Sequence, residues 1–341
     1  MDINVSGNFT TFKALQFVTD LYQLAEEEEY YFDFSKIGFV NPFTLLYLSY
    51  HFKAFPSWRS PARYFAKNHQ GHSYLSHMGF FQSFGVDYGK KPGEAKGSHT
   101  YIPITIITRQ QAMSDSMGVN IGVYCENYGL KLAEILLGEN VSPAFQIISY
   151  SIREMFRNIF EHSNAVEVSF CAQYWPKTGK AEIAILDNGI GIQNGLKTNP
   201  YLLIGDDYQA LNLAMLPGIS GKMFKGVKSN PKNEWENTGF GLYMTSQLCR
   251  LGGGFFIASG YSGINIDNHG KEHYGSYING TILSMSINTR EFSSSAAALI
   301  REISLKGKEI SMELDMLDHI NGEKASSYIS NDEKRQLLLK R

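Results

Sequence analysis

Glu154, Asn158 and His162 recur at every fourth residue, and Asp187 is followed at once by Asn188-Gly189-Ile190-Gly191. On a helix, a spacing of four places side chains on one face. Ile148, Ile152, Phe156 and Ile159 fall on the other side, so Ala144 to Ser163 reads as a helix with one apolar and one polar face. An amphipathic surface helix has the same spacing. Asp187 closes an apolar run, Ile183 to Leu186, that reads as a buried strand. A carboxylate at the mouth of a strand can accept a hydrogen bond from an exocyclic amine, and glycines without Cβ let a flat ring lie against the main chain. Asp-Asn-Gly is also an ordinary turn. A third stretch, Asn237-Thr238-Gly239-Phe240-Gly241-Leu242, opens a helix-like run that ends at Gly252 to Gly254. Such a turn offers free N–H groups and the positive end of a helix dipole, which suits phosphate.

The elements that would position these residues follow in order. A strand is expected from Tyr101 to Thr108 and a helix from about Gln111 to Leu137, punctuated by Gly138 and Pro143 before the helix at Ala144. Glu167 to Tyr174 and Lys180 to Leu186 read as an antiparallel pair around Pro176-Lys177-Thr178-Gly179. Residues 193–236 are long, polar and dotted with glycine, and a stretch of that kind in a compact domain is usually functional or disordered. Within it Lys222, Lys225, Lys228 and Lys232 could reach phosphates, although for any single one a solvated lysine is the more ordinary reading. Phe255 to Ser259 and Thr281 to Ile287 complete a sheet, and the polar excursion from Tyr261 to Asn279 has no assigned role.

Taken together, EMFRNIFEHS, DNGIGI, NTGFGL and the Gly280-Thr281 pair resemble, in order, the N-box, the two glycine boxes and the closing Gly-Thr of the GHKL ATPase superfamily, which includes gyrase and histidine kinases. The resemblance spans residues 101–290 and implies an α/β sandwich of the Bergerat type that binds ATP and Mg²⁺. It implies Glu154 as general base and Asn158 as magnesium ligand, with His162 assigned only to binding. Asn supplies a hard carbonyl oxygen, and a Glu one turn away can take a proton from a nucleophile nearing the terminal phosphate. By the same resemblance Asp187 meets the adenine amino group, Gly189 and Gly191 shape the pocket, Thr238, Gly239 and Gly241 hold phosphates, and Thr281 supports the adenine. Residues 193–236 would be the ATP lid. Asn237 departs from the family pattern, where many members have Gly, and leaves the later glycines intact.

Residues 1–88 alternate strand-like and helix-like pieces, with a helix from Thr11 to Ala25 and a strand from Tyr30 to Val40 that runs through Asn41-Pro42 into a helix from Phe43 to Phe55. YFDFSKIGFVNPFTLLYLSYHF loosely resembles the central strand-turn-helix of STAS domains. Where antagonist members carry a phosphorylatable Ser this chain has Phe43, which implies a docking or dimerisation module without a phospho-switch. His69, His72 and His77 lack a carboxylate or Cys companion and read as surface or partly packed histidines rather than a metal site. Residues 89–100 are expected to be a linker and 291–341 a partly helical extension with a charged tail.

With 31 basic and 33 acidic residues, the chain has no net field that favours nucleic acid or an anionic membrane. Cys125, Cys171 and Cys249 show no CxxC spacing, and no stretch is long and apolar enough to span a bilayer, so a cytoplasmic protein is expected. The expected function is a MgATP-binding, ATP-hydrolysing switch whose protein partner meets the STAS-like domain or the C-terminal extension, with a homodimer open. An anti-sigma-type serine/threonine kinase acting on a partner STAS protein and a non-catalytic ATP-binding module are the alternatives.

Overall fold

A computed structural model describes residues 1–116, 120–222, 224, 239–292, 295–315 and 320–321. It is a mixed α/β structure with several sheets. The N-terminal part contains β1 (Asp2–Asn4), β2 (Gly7–Phe9), α1 (Thr11–Gln23), β3 (Glu29–Asp33), β4 (Ile37–Val40), α2 (Pro42–Trp58), β5 (Arg63–Lys67) and two short helices, α3 (Ser73–His77) and α4 (Phe80–Ser83). Strands β1, β3 and β5 form a parallel sheet, and β2 pairs with β4 in a second one. The single strand expected from Tyr30 to Val40 is therefore two strands in different sheets. Asp33 Oδ1 accepts from the Ser35 backbone N–H at 2.8 Å, a local turn that competes with the ladder and breaks the run.

The rest of the chain contributes β6 (Tyr101–Thr108), α5 (Arg109–Asp115), α6 (Ile121–Leu137), α7 (Pro143–Asn158), β7 (Glu167–Trp175), β8 (Lys180–Asp187), α8 (Gly191–Leu196), β9 (Leu202–Leu203), α9 (Asp207–Ala214), α10 (Gly241–Arg250), β10 (Gly254–Asp267), β11 (Gly270–Asn288), α11 (Ala296–Asp315) and β12 (Ile320–Asn321). One antiparallel five-stranded sheet runs in the order β10-β11-β8-β7-β6. The helix expected over 111–137 is divided into α5 and α6, and Asn120 restarts it by accepting from the Gly122 N–H at 2.8 Å. The polar excursion 261–279 is a continuation of β10 and β11, which pair as far as Asp267 and Gly270. The first part of the 193–236 stretch carries the end of α8, β9 and α9.

Alternation along β8 explains the layers. Ile183 and Ile185 join the core made with Ile148, Ile152 and Phe156 of α7 and Leu248 of α10. Ala184 and Leu186 point the other way and join a second core with α2 and the N-terminal sheet. Helix α2 thus lies between two sheets, and every residue from Pro42 to Ser49 is buried. Its N-terminus is capped by Asn41, whose Oδ1 accepts from the Thr44 N–H at 3.1 Å while its Nδ2 donates to Glu182 Oε1 on β8 at 2.7 Å. Glu182 is 2% exposed, its carboxyl is pushed up by burial, and Lys180 lies 3.2 Å from its other oxygen.

All three cysteines are free and buried. Cys171 on β7 donates to the Pro42 carbonyl at the sheet–α2 seam, whereas Cys125 of α6 and Cys249 of α10 lie in the core on the opposite side. Burial pushes the Cys125 thiol up to about 12. In the stretch expected to be a linker, the Lys90 N–H donates to Ser76 and the Gly93 N–H to Ile104. No helix among the described residues is long and apolar enough to cross a membrane.

Candidate functional site

Helix α7 begins with Ser142 capping the Phe145 N–H at 3.0 Å and Pro143 in the first turn. Its regular hydrogen bonding gives way to a wider π turn over Ile159–Ser163, closed by Asn164 at φ 53°. Such turns redirect a helix end and recur at functional sites. Here the π turn brings the Ser163 carbonyl to the loop after β8, where it accepts from the Ile190 N–H at 2.8 Å. A Cβ at Gly189 would collide with that carbonyl, which accounts for the residue type without any ligand.

Asp187 is the last residue of β8 and faces Thr281 of β11 in register. Its Oδ1 accepts from the Gly189 N–H at 2.8 Å, yet the side chain is only 3% exposed. Burial raises the carboxyl pKa to about 6, against the lowering effect of the Gly189 and Ser163 hydrogen bonds. Gly191 is at φ +75°, and a Cβ there would lie 2.9 Å from Ser259 Oγ. Ser259 ties the wall together by accepting from the Ile192 N–H at 3.0 Å and donating to the Gly280 carbonyl at 2.7 Å.

Ser163, Asp187, Ile190, Gly191 and Ile192 line a cavity of about 460 Å³. Of the residues singled out in the sequence, Asn158, His162, Asp187, Gly191, Lys222, Gly239, Gly241 and Thr281 are on its walls. Gly189 shapes the turn behind the wall. Thr238, Asn237, Lys225, Lys228 and Lys232 lie outside the described residues. His162 is pushed down to about 4 by burial and by the nearby Lys222 and Arg157 charges, so it is a neutral imidazole at physiological pH. Lys222 donates to the Glu161 carbonyl.

The base of the 193–236 stretch is fastened at several points. Thr198 Oγ1 donates to the Gly221 carbonyl at 2.7 Å and Asn199 Nδ2 to the Ser220 carbonyl at 2.8 Å. The Gly218 N–H donates to the Gly239 carbonyl at 3.1 Å, tying the segment's interior to the residues that open α10. Gly239 has φ +73°, and a Cβ would sit 2.6 Å from the Ile219 carbonyl. Two residues later Gly241 opens α10, whose N-cap residue, Phe240, makes no side-chain capping hydrogen bond among the described residues. The start of a helix beside a cavity presents the positive end of its dipole to whatever occupies the cavity, an arrangement that suits an anion.

Glu154 is not on the cavity wall but directly behind it. Its Oε2 lies 2.8 Å from where a Cβ of Gly241 would be. Its Oε1 accepts from Arg153 Nε at 3.0 Å and Nη2 at 2.8 Å, and Arg157 Nη1 is 3.8 Å away. Ser163, Ser259, Asn199 and Arg153 therefore belong to the site's framework although sequence reasoning did not select them. Serine and asparagine are common enough that only their fold neighbours distinguish these, and Arg153 was visible only as the residue before Glu154. Of the histidines at 69, 72 and 77, His77 pairs with the Tyr101 hydroxyl at 2.9 Å, and among the described residues no group of three His, Cys, Asp or Glu side chains could hold a metal ion.

No protein-family model matches the chain, and no curated protein matches it significantly.

Proposed function

We propose that the chain binds MgATP in this cavity and hydrolyses it as a nucleotide-dependent switch of the GHKL type. The observation that carries the reading is the meeting, in one cavity of about 460 Å³, of a buried acceptor pair, Asp187 and Thr281, with the N-terminal end of α10 at Gly241. That volume suits a nucleotide-sized ligand. Asp187 would accept from the adenine amino group, Gly191 would leave room for the ring, and the α10 N–H groups would face the phosphates. The five-stranded sheet with α7 and α10 on one face supports reading residues 101–290 as a Bergerat-type sandwich.

Asn158 suits magnesium by its hard carbonyl oxygen. The absence of a three-residue ligand group among the described residues is compatible, because magnesium is commonly held by one or two side chains with phosphate and water oxygens. The ion would supply screening of the phosphate charge. Glu154 is the base in this reading: it takes a proton from water as the water oxygen bonds to the terminal phosphorus and the bridging P–O bond breaks, releasing ADP and phosphate.

The parallel β1-β3-β5 unit is read as STAS-like, with a cytoplasmic partner or a second copy as its binding target. Phe43, at the position of the antagonist serine, is fully buried against Phe256 at a centroid distance of 5.0 Å, which supports a module without a phospho-switch.

The test is incubation with γ-labelled ATP and Mg²⁺, wild type beside Glu154→Ala, with and without cell extract. Free labelled phosphate lost in Glu154→Ala is the expected outcome. Label transferred to an extract protein would favour a kinase, and bound but intact ATP in both proteins would leave a non-catalytic nucleotide module.

A further inference from the structure

Arg153 stands beside the proposed base and has no place in the resemblance that led to the site. Two of its guanidinium nitrogens, Nε and Nη2, donate to one oxygen of Glu154, Oε1, at 3.0 and 2.8 Å. Adjacent residues on a helix do not normally face one another, so this contact requires the arginine to fold back along α7. One neighbour holds it there: the Tyr150 ring lies one turn earlier, 4.7 Å from the guanidinium carbon. Gly129 of α6 packs against the Arg153 backbone, where a Cβ would lie 3.2 Å from the main-chain nitrogen. The pair is largely enclosed, with Arg153 at 24% and Glu154 at 12% side-chain exposure.

The two carboxylate oxygens thus have different surroundings. Oε1 is occupied by Arg153, while Oε2 accepts no hydrogen bond among the described residues and is turned to Gly241, the first residue of α10 and part of the cavity wall. A carboxylate acting as a base needs one free lone pair aimed at the nucleophile and a fixed orientation for the rest of the group. We propose that Arg153 is a positioning residue for Glu154: it anchors Oε1 so that Oε2 is the oxygen presented to the reacting water. This inference rests on the ATPase reading above and adds to it the residue that orients the base.

Arginine is suited to this task where lysine is not, because its planar fork places two N–H groups on one acceptor and also stacks on an aromatic ring. Arg157 is not equivalent, since its Nη1 is 3.8 Å from Oε1 and its Nε is committed to Glu161 at 3.1 Å.

The experiment compares wild type, Arg153→Gln, Arg153→Lys, Glu154→Ala and the double variant Arg153→Gln/Glu154→Ala for kcat, equilibrium ATP affinity and thermal midpoint. Arg153→Gln is expected to lower kcat by about tenfold or more, a part of the loss typical for removing a general base, with ATP affinity changed by less than about threefold. Arg153→Lys should recover only part of the rate. The double variant should turn over no more slowly than Glu154→Ala, because a positioning residue has no effect once its target is gone. Loss of ATP affinity and of thermal stability in step with rate would instead make Arg153 a structural residue and overturn the proposal. Unchanged or faster turnover in Arg153→Gln would overturn it as well. Wild-type protein that binds ATP without turnover would overturn the hydrolytic reading and the role of Arg153 with it, whereas wild-type turnover unaffected by Arg153→Gln removes the positioning role alone.

Discussion

At the scale of single residues, Asp187 carries opposing demands. Its carboxyl is raised from 3.8 to about 6 because the native state buries it, and such a shift corresponds to about 3 kcal/mol. The native form therefore binds more protons than the unfolded chain between these values, so this group's penalty is absent below about pH 4 and complete above about pH 6. Asp187→Asn should raise the stability of the nucleotide-free protein at pH 7.5, with the two proteins converging near pH 4 in urea titrations followed by circular dichroism. The same substitution should abolish ATP binding, since the amide offers a donor where the adenine amine needs an acceptor. ATP affinity of the wild type should weaken as pH falls through about 6, where the free protein's acceptor takes up a proton. Unchanged affinity in Asp187→Asn would remove the site assignment.

At the scale of elements, the two glycines flanking Phe240 make separable predictions. Gly239 is at φ +73° with a carbonyl 2.6 Å from any added Cβ, so Gly239→Ala should cost about 2 kcal/mol or more of stability and weaken ATP binding by disturbing the Gly218–Gly239 hydrogen bond at the cavity wall. Gly241 has no such backbone demand, but its Cβ would press on Glu154 Oε2 at 2.8 Å. Gly241→Ala should leave the melting midpoint nearly unchanged and lower kcat, as measured by phosphate release. Helix α7 was legible because Ile148, Ile152 and Phe156 repeat at helical spacing and Pro143 marks its start. The π turn after it was not, since IFEHS contains neither Gly nor Pro and its widening depends on docking against the loop at Gly189 and Ile190. The β10–β11 ribbon was hidden for a different reason: Ser262, Asn265 and Ser276 are polar residues buried by the ribbon's own neighbours, so hydropathy read the stretch as a loop.

At the scale of the whole molecule, sequence periodicity indicated both α/β parts but not that α2 closes the outer face of the large sheet. That contact depends on Phe43, Leu45 and Leu48 being apolar on a helix whose first two turns, Pro42 to Ser49, are buried all round, a pattern that names no partner. The seam also contains a polar joint, Asn41 to Glu182, which predicts an unusually large effect. Asn41→Ala removes an N-cap, ordinarily about 1 kcal/mol, and also takes a 2.7 Å hydrogen bond from a carboxylate that is 2% exposed. A total loss of about 2–4 kcal/mol is expected in urea unfolding, and a loss no greater than that of a surface cap would show that the joint contributes little.

The placement of the three thiols gives the molecule intrinsic clocks. A buried thiol with a raised pKa does not react until the layer that covers it parts, so alkylation kinetics under native conditions count opening events rather than exposed surface. Cys171 times the separation of the N-terminal layer from the sheet, and Cys125 and Cys249 time the departure of α6 and of α10. Because α10 begins at the cavity and Cys171 lies on the far side of the sheet, nucleotide that slows Cys249 alone would act locally. Nucleotide that also slows Cys171 would be felt through the sheet, and the unmodified chain already holds the probes to tell these apart.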